Sequence, residues 1–316
     1  MSMSFISSGH SMGATVQGVD LSRPLSDTDF AEVFEGLARH ALLRFPAQTL
    51  SAEQLRDFSA RFGGLQIGLS GSGPYEPGVP EVSILSNILR DGKPIGLGDA
   101  GQDWHTDMSY NQTVGFSNVL YAVQIPRRDG KPLGNTLFAD MGAAYDALPQ
   151  ALKQKLAGCT ATHDFNKFWE KMRTRPGSLR DPLTPEQRAK RPPSVHPVFL
   201  KHPVTGRTVL YCNPGYALRI NELPQEESDD ILEQLFEHQL QSRFQYTHVW
   251  TEGDVIMWDH ISTLHFAIPD YAPHEHRLIK RCQIMADRVF DPVFVAGILD
   301  HRRAGTDRSG AGLQSA

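Results

Sequence analysis

The spacing of apolar positions along the chain alternates between the strand period of two and the helical period near 3.6. GATVQGVDL (13–21) reads as a strand, after which Ser26 opens a helix that carries Phe30, Val33, Phe34 and Leu37 on one face. ALLRF (41–45) is strand-like and stops at Pro46. Ser51 and Gln54 then form a capping box for a helix with Leu55, Phe58 and Phe62, ended by Gly63-Gly64. From Gly64 to Gly101 the chain is rich in glycine and proline around short strand candidates such as EVSILSNI, which predicts loops laid over a sheet. Strands return at SNVLYAVQI (117–125) and, after a turn at Asp129-Gly130, at NTLFAD (135–140). A helix follows Asp140, and another starts near Pro149 and ends at Gly158.

The segment HPVFLKHPVTGRTVLYCN predicts two strands around a turn at Val204-Thr205-Gly206, and Pro224 opens a helix with Ile231, Leu232, Leu235, Phe236 and Leu240 inward. The last third gives FQYTHVW, DVIMWD, STLHFAI and RLIKRCQIMA as strands. Many short strands with helices at the margins predict a mainly β, α+β fold with peripheral helices: a single domain over 1–300 built on a sandwich or barrel. The small, polar stretch 301–316 reads as a disordered tail.

Composition narrows the function. Lys+Arg 31 against Asp+Glu 36 gives a net charge of −5, which offers no basis for binding nucleic acid or an anionic membrane, so small molecules are the expected partners. Cys159, Cys212 and Cys282 are odd in number and far apart, indicating neither a disulfide framework nor a thiolate zinc site. The first residues lack a basic, apolar export signal, and no run approaches the roughly 20 apolar residues of a membrane span, so the expectation is a cytoplasmic protein. One local departure stands out. Residues 166–193 hold Lys167, Lys171, Arg173, Arg175, Arg180, Arg188, Lys190 and Arg191 among several prolines, an exposed insertion that reads as a solvated loop or as a lid over an anionic substrate.

The candidate chemistry lies in DWHTDMSY (103–110). If this stretch is a strand, His105 and Asp107 point to one side. With His265, from the segment WDHISTLHF, they supply the two histidines and one carboxylate of a facial triad, which leaves three coordination positions of Fe(II) open. His-x-Asp pairs are common and thirteen histidines supply many distal partners, so composition alone leaves coincidence open. Arg277 and Arg281 add weight, because four residues apart on a strand they share a face. Two buried guanidiniums need anions, and an Arg fork captures a carboxylate bidentately. The alternative is surface salt bridging.

In this order, WHTD, GNTLFADMGAAYDALP, WDHISTLH and R-x-x-x-R, together with HPVFLKHPVTG and NPGYALRI, resemble the Fe(II)/2-oxoglutarate-dependent dioxygenases of the taurine dioxygenase and 2,4-D dioxygenase family, from about Gly13 to about Val289. The resemblance implies a double-stranded β-helix, a cupin-like jelly roll, with Fe(II) held by His105, Asp107 and His265. It places the far carboxylate of the co-substrate 2-oxoglutarate on Thr136 and Arg277. Arg281 then lies near the substrate anion and the metal-bound end of the co-substrate, and Met108 and Tyr216 fall where members line the substrate pocket. The implied reaction uses O₂ to hydroxylate a small, anionic organic substrate, with release of succinate and CO₂. Where the oxidised carbon bears an ether oxygen, sulfonate or amine, the product collapses with cleavage of that bond. A carboxylate at Asp107 argues against the halogenating variant, which needs a small residue there. The family's usual assembly, a dimer or tetramer, is expected here.

Taurine-specific members carry histidine, tyrosine and asparagine before the His-x-Asp pair, whereas this chain has IGLSGSG (67–73) and Asp99-Ala100-Gly101. That difference disfavours taurine and, with glycines at 68, 71 and 73, suggests a larger or more apolar acid such as an aryloxyalkanoate. Trp104 and Trp258 are read as packing residues, and His163, His196 and His202 as hydrogen-bonded structural histidines. His260 is the main competing ligand, but five residues from His265 it falls on the opposite face of a continuous strand. Two rival readings remain: a zinc hydrolase using the same three ligands, and a catalytically silent cupin-like binding protein.

Overall fold

The computed structural model describes residues 3–67, 74–175, 178 and 180–311. The chain begins with β1 (Ser4–Ser7), β2 (Ala14–Gln17), α1 (Asp27–His40), β3 (Leu42–Phe45), α2 (Ala52–Ala60), β4 (Tyr75–Glu76) and β5 (Val79–Ser86). Its middle forms β6 (Gly115–Gln124), β7 (Thr136–Asp140), α3 (Met141–Asp146), α4 (Gln150–Lys155), β8 (Thr160–His163), α5 (Phe165–Arg173), α6 (Pro185–Ala189), β9 (Ser194–Pro197) and β10 (Ala217–Ile220). The last third supplies α7 (Gln225–Gln239), β11 (Gln245–His248), β12 (Val255–Asp259), β13 (Thr263–Ala267), β14 (Leu278–Met285) and α8 (Pro292–Ala311).

Local chemistry sets the helix starts. Ser26 Oγ accepts from the Asp29 N–H at 3.1 Å, and Ser51 and Gln54 make both halves of the expected capping box. The helix α1 stops where Ala41 turns left-handed, at φ 59°, and its N–H closes on the Leu37 carbonyl.

Two sheets make the jelly roll. The larger has the order β1-β2-β3-β12-β6-β14-β5-β4, antiparallel except for the β2–β3 pair, and the smaller has the order β11-β7-β13. A third sheet, β9-β8-β10, flanks them. Strand alternation divides the large sheet into two faces. Val119 of β6, Val255 and Met257 of β12 and Cys282 and Ile284 of β14 enter the core shared with α1 and α2. Leu120 of β6, Ile256 and Trp258 of β12 and Ile279 of β14 face the other way, toward Phe138 of the small sheet and Trp250. On that second face Ser83, Arg281, Gln283 and Asn118 lie in register across β5, β14 and β6, since Arg281 pairs with Ser83 and Gln283 with Asn118. The space between the sheets is therefore apolar at one end and polar at the other.

Four features differ from the sequence reading. β5 is an integral strand beside β14, rather than part of a loop cover. Residues 102–110 form turns rather than a strand, with a single β-bridge at His105. Residues 301–311, expected to be disordered, continue α8, whose Val295 and Ile298 are buried in the core. The basic insertion contains α5 and α6 and buries Phe168 and Met172, so it is more than a solvated loop. The glycines at 68, 71 and 73 lie outside the described residues. All three cysteines are buried and free, and no helix among the described residues is long and apolar enough to cross a membrane.

Candidate functional site

His105 and His265 come together through their backbones. Each donates its N–H to the other's carbonyl, at 3.2 and 2.8 Å, which seats the loop 101–105 along β13, and the Ala267 N–H continues this pairing by donating to the Gly101 carbonyl at 2.8 Å. The imidazole centroids lie 4.2 Å apart. Asp107 reaches them from the following turn, so convergence comes from the turn and not from strand alternation. One ligand atom from each of His105, Asp107 and His265 lies within 4.8 Å of the others, and all three side chains are buried.

Hydrogen bonds orient these groups. The His105 Nδ1–H donates to the Asp103 carbonyl at 2.7 Å, which directs Nε2 toward Asp107 Oδ1, 3.1 Å away. Asp107 Oδ2 accepts from Asn118 Nδ2 at 2.7 Å and Gln283 Nε2 at 3.1 Å, with Arg281 Nη1 at 3.7 Å. Burial opposes ionisation of Asp107, but the contact with His105 and the nearby charge of Arg281 outweigh it and hold the carboxyl well below the usual carboxylate range. Burial also holds His265 neutral, with His105 adding to the effect. Neutral imidazole and ionised carboxylate are the protonation states that bind a metal.

These residues open onto a cavity of about 150 Å³. At its apolar end Thr136 and Arg277 line the wall. The indole Nε1–H of Trp250 donates to Thr136 Oγ1 at 3.1 Å, leaving the threonine hydroxyl proton for another acceptor. Arg277 is only 5% exposed and its Nε has no partner, although burial disfavours its charge against the support of Tyr271 and Asp270. A nearly buried guanidinium with an orphaned donor suits a carboxylate guest. Arg281 lines the same cavity nearer Asp107, and its Nε donates to Ser83 Oγ at 3.2 Å.

The remaining wall is aromatic. Phe168 of α5 lies 4.8 Å from the His105 ring and 5.2 Å from Tyr216, and Tyr110 lies 4.8 Å from both Tyr216 and Phe165. Basic residues of the insertion pin this wall to the loop before His105: Lys171 meets Asp103 at 2.5 Å, and Arg180 grips Asp99 through two nitrogens at 2.8 and 2.9 Å.

Tyr216 lines the cavity, whereas Met108 does not. Met108 is fully buried with φ 62°, and a Cβ at Gly115 would meet its methyl at 2.5 Å, so it packs behind the ligand turn. His260 is also set apart. It follows the end of β12, its ring centroid lies 6.1 Å from that of His265, and it falls outside the ligand cluster; a turn, rather than one continuous strand, separates the two. Trp258 packs against Phe138 and His265 as a wall residue. His163, His196 and His202 each have hydrogen-bond partners in the structure, with His202 paired to Asp259 at 2.7 Å. Sequence reasoning missed Asn118, Gln283 and Phe168, because strand pairing and helix docking bring them to the site and no local motif marks them.

Two imidazoles and one carboxylate, beside a buried unpaired guanidinium nitrogen, form a donor set that fits a divalent metal with a carboxylate co-ligand. Comparison with known proteins adds kinship. The family described as taurine catabolism dioxygenase TauD, TfdA family matches residues 6–283. Pentalenolactone F synthase of Streptomyces avermitilis is 34% identical over 90% of this chain and 94% of its own. The alpha-ketoglutarate-dependent 2,4-dichlorophenoxyacetate dioxygenase of Cupriavidus pinatubonensis is 32% identical over 80% of this chain and 87% of its own. Among solved structures, AAD-2 in complex with Mn(II) and N-oxalylglycine superposes with a TM-score of 0.76 at 26% identity, covering 91% of this chain and 98% of that one.

Proposed function

The chain belongs to the TauD/TfdA family of 2-oxoglutarate-dependent dioxygenases, and from that premise we propose that it hydroxylates a small anionic organic substrate at an Fe(II) centre. The convergence of His105, Asp107 and His265 beneath the cavity carries this reading. Sulfonates, aryloxyalkanoates and other carboxylic acids are the candidate substrates, in keeping with relatives named for 2,4-dichlorophenoxyacetate, (S)-phenoxypropionate and sulfonate.

His105, Asp107 and His265 would hold Fe(II), and Thr136 and Arg277 the far carboxylate of 2-oxoglutarate. When bound, the iron couples O₂-driven conversion of 2-oxoglutarate to succinate and CO₂ with oxidation of a substrate C–H bond. The protein supplies position. Asp103 fixes the His105 tautomer, and Trp250 orients the Thr136 hydroxyl. Arg281 offers charge to the substrate anion, while Tyr110, Phe165, Phe168 and Tyr216 cover an apolar body and exclude water. Which C–H reacts then follows from how the anion and the aromatic wall seat the substrate.

An anaerobic titration tests the metal and co-substrate together. Fe(II) with 2-oxoglutarate should give a visible charge-transfer band that neither gives alone, and its absence would favour a zinc hydrolase or a silent binding protein. Incubation with a panel of sulfonates, aryloxy acids and amino acids, read as succinate formed, then tests the substrate class; selective turnover of taurine would overturn the expectation of a larger acid.

A further inference from the structure

Asp107 is held by two amides that face each other across β6 and β14. Asn118 and Gln283 are register partners, so their side chains leave the large sheet on the same face, at the same height, beside the ligand turn. Both place an N–H on one oxygen of the carboxylate: Asn118 Nδ2 at 2.7 Å and Gln283 Nε2 at 3.1 Å from Oδ2. A carboxylate oxygen has two in-plane lone pairs. Oδ2 is thereby saturated, while Oδ1 points toward His105 Nε2.

The Asn118 amide has one tenable orientation, because turning it over would set its oxygen against a carboxylate. In this orientation the Asn118 Oδ1 is buried without a hydrogen-bond partner. A residue that served packing alone would satisfy both ends of its amide or carry no amide. Asn118 keeps the end that meets Asp107 at the expense of the other.

We propose that Asn118 and Gln283 are positioning residues that occupy Oδ2 and restrict Asp107 to binding a metal through Oδ1 alone. The inference rests on the reading of Asp107 as a metal ligand. Its consequence concerns the number of free positions. A carboxylate bound through one oxygen leaves three places for the co-substrate and a third ligand, whereas one bound through both oxygens leaves two, and chelating 2-oxoglutarate, anchored at Thr136 and Arg277, must then take that one pair, with no place left for a third ligand, or displace an oxygen of the protein's own carboxylate. Turning the Asp107 carboxyl exchanges its oxygens but not this result, since whichever oxygen faces the amides is the one they fill.

Cobalt(II) as a probe, with its visible spectrum and calorimetric titration of 2-oxoglutarate into the cobalt-loaded protein, separates the possibilities. Gln283→Leu, at a half-buried position, is the primary variant; Asn118→Leu and the double variant extend the series, with circular dichroism melts to establish folding. The expected result is cobalt affinity within about threefold of wild type, an altered cobalt spectrum, and 2-oxoglutarate affinity weakened about tenfold in Gln283→Leu and further in the double variant. Unchanged spectrum and 2-oxoglutarate affinity in a folded Gln283→Leu protein would overturn the proposal. A distinct result, tight cobalt binding by Asp107→Ala with the wild-type spectrum, would instead remove Asp107 as a ligand and with it the parent reading.

Discussion

His105 and His265 exchange both backbone hydrogen bonds, at 3.2 and 2.8 Å, and so hold their imidazoles side by side independently of any ion. The side chains can therefore be removed without undoing the pairing. For His265→Ala we expect a folded protein that has lost its metal response. In the wild type, a divalent metal at about a hundred times its dissociation constant adds about 2.7 kcal/mol to stability by mass action, and this increment vanishes in the variant. Melting curves with and without Mn(II) measure it, and an equal metal-induced rise in both proteins would refute His265 as a ligand.

Arg277 separates binding from folding. Its guanidinium is nearly buried with Nε unpartnered, at a cost that Tyr271 and Asp270 offset only in part and that an anionic guest would relieve. Arg277→Met should raise the KM for 2-oxoglutarate by at least about tenfold, about 1.4 kcal/mol, while the co-substrate-free protein melts at or above the wild-type temperature. A purely structural arginine would show the reverse, lower stability with KM unchanged, and steady-state kinetics beside calorimetry distinguishes the two.

Phe168 links the basic insertion to the chemistry, because its ring lies against both His105 and Tyr216. Phe168→Ala should weaken binding of the primary substrate by about tenfold and change the KM for 2-oxoglutarate by less than about twofold, since Thr136 and Arg277 stand at the other end of the cavity. The ratio of succinate formed to substrate oxidised should rise, as the truncated wall admits water. An unchanged ratio and unchanged substrate KM would mean that α5 only closes the fold.

How much of this was legible in the sequence depends on the range of the interaction. The caps at Ser26 and Ser51 obey local rules and stand where the sequence puts them. The donor types His105, Asp107 and His265 are also readable, but the reason for their meeting is not: strand alternation requires a strand, and the chain instead turns, with Met108 left-handed immediately after Asp107. That turn also carries Met108 away from the cavity. Asn118 and Gln283 illustrate the same limit. Each is one of several polar residues in its strand, and only the β6–β14 register, set by the whole sheet, puts them on one carboxylate. Charge shows a third case, since the basic run between 166 and 193 reads as solvated until Asp99 and Asp103 are found opposite it.

His163 gives a prediction for pH. Burial, with His196 and Lys167 nearby, pushes its pKa down to about 3, while Nδ1 lies 3.1 Å from Ser109 Oγ and Nε2 has no partner. Above a pH of about 6.5 the imidazole is neutral in both folded and unfolded chains and contributes no proton-linked term. Below that, the unfolded chain takes up a proton that the folded one refuses, so stability falls with pH by at most about 1.4 kcal/mol per unit, until the folded group also titrates near 3. Other buried histidines, including His248, act in the same direction. His163→Asn should therefore lower stability at neutral pH, yet show a slope of stability against pH between about 6 and 4 that is shallower than wild type by close to one proton. Urea denaturation of the metal-free proteins at several pH values reads that slope, and parallel curves would show that His163 shares its proton with the folded state.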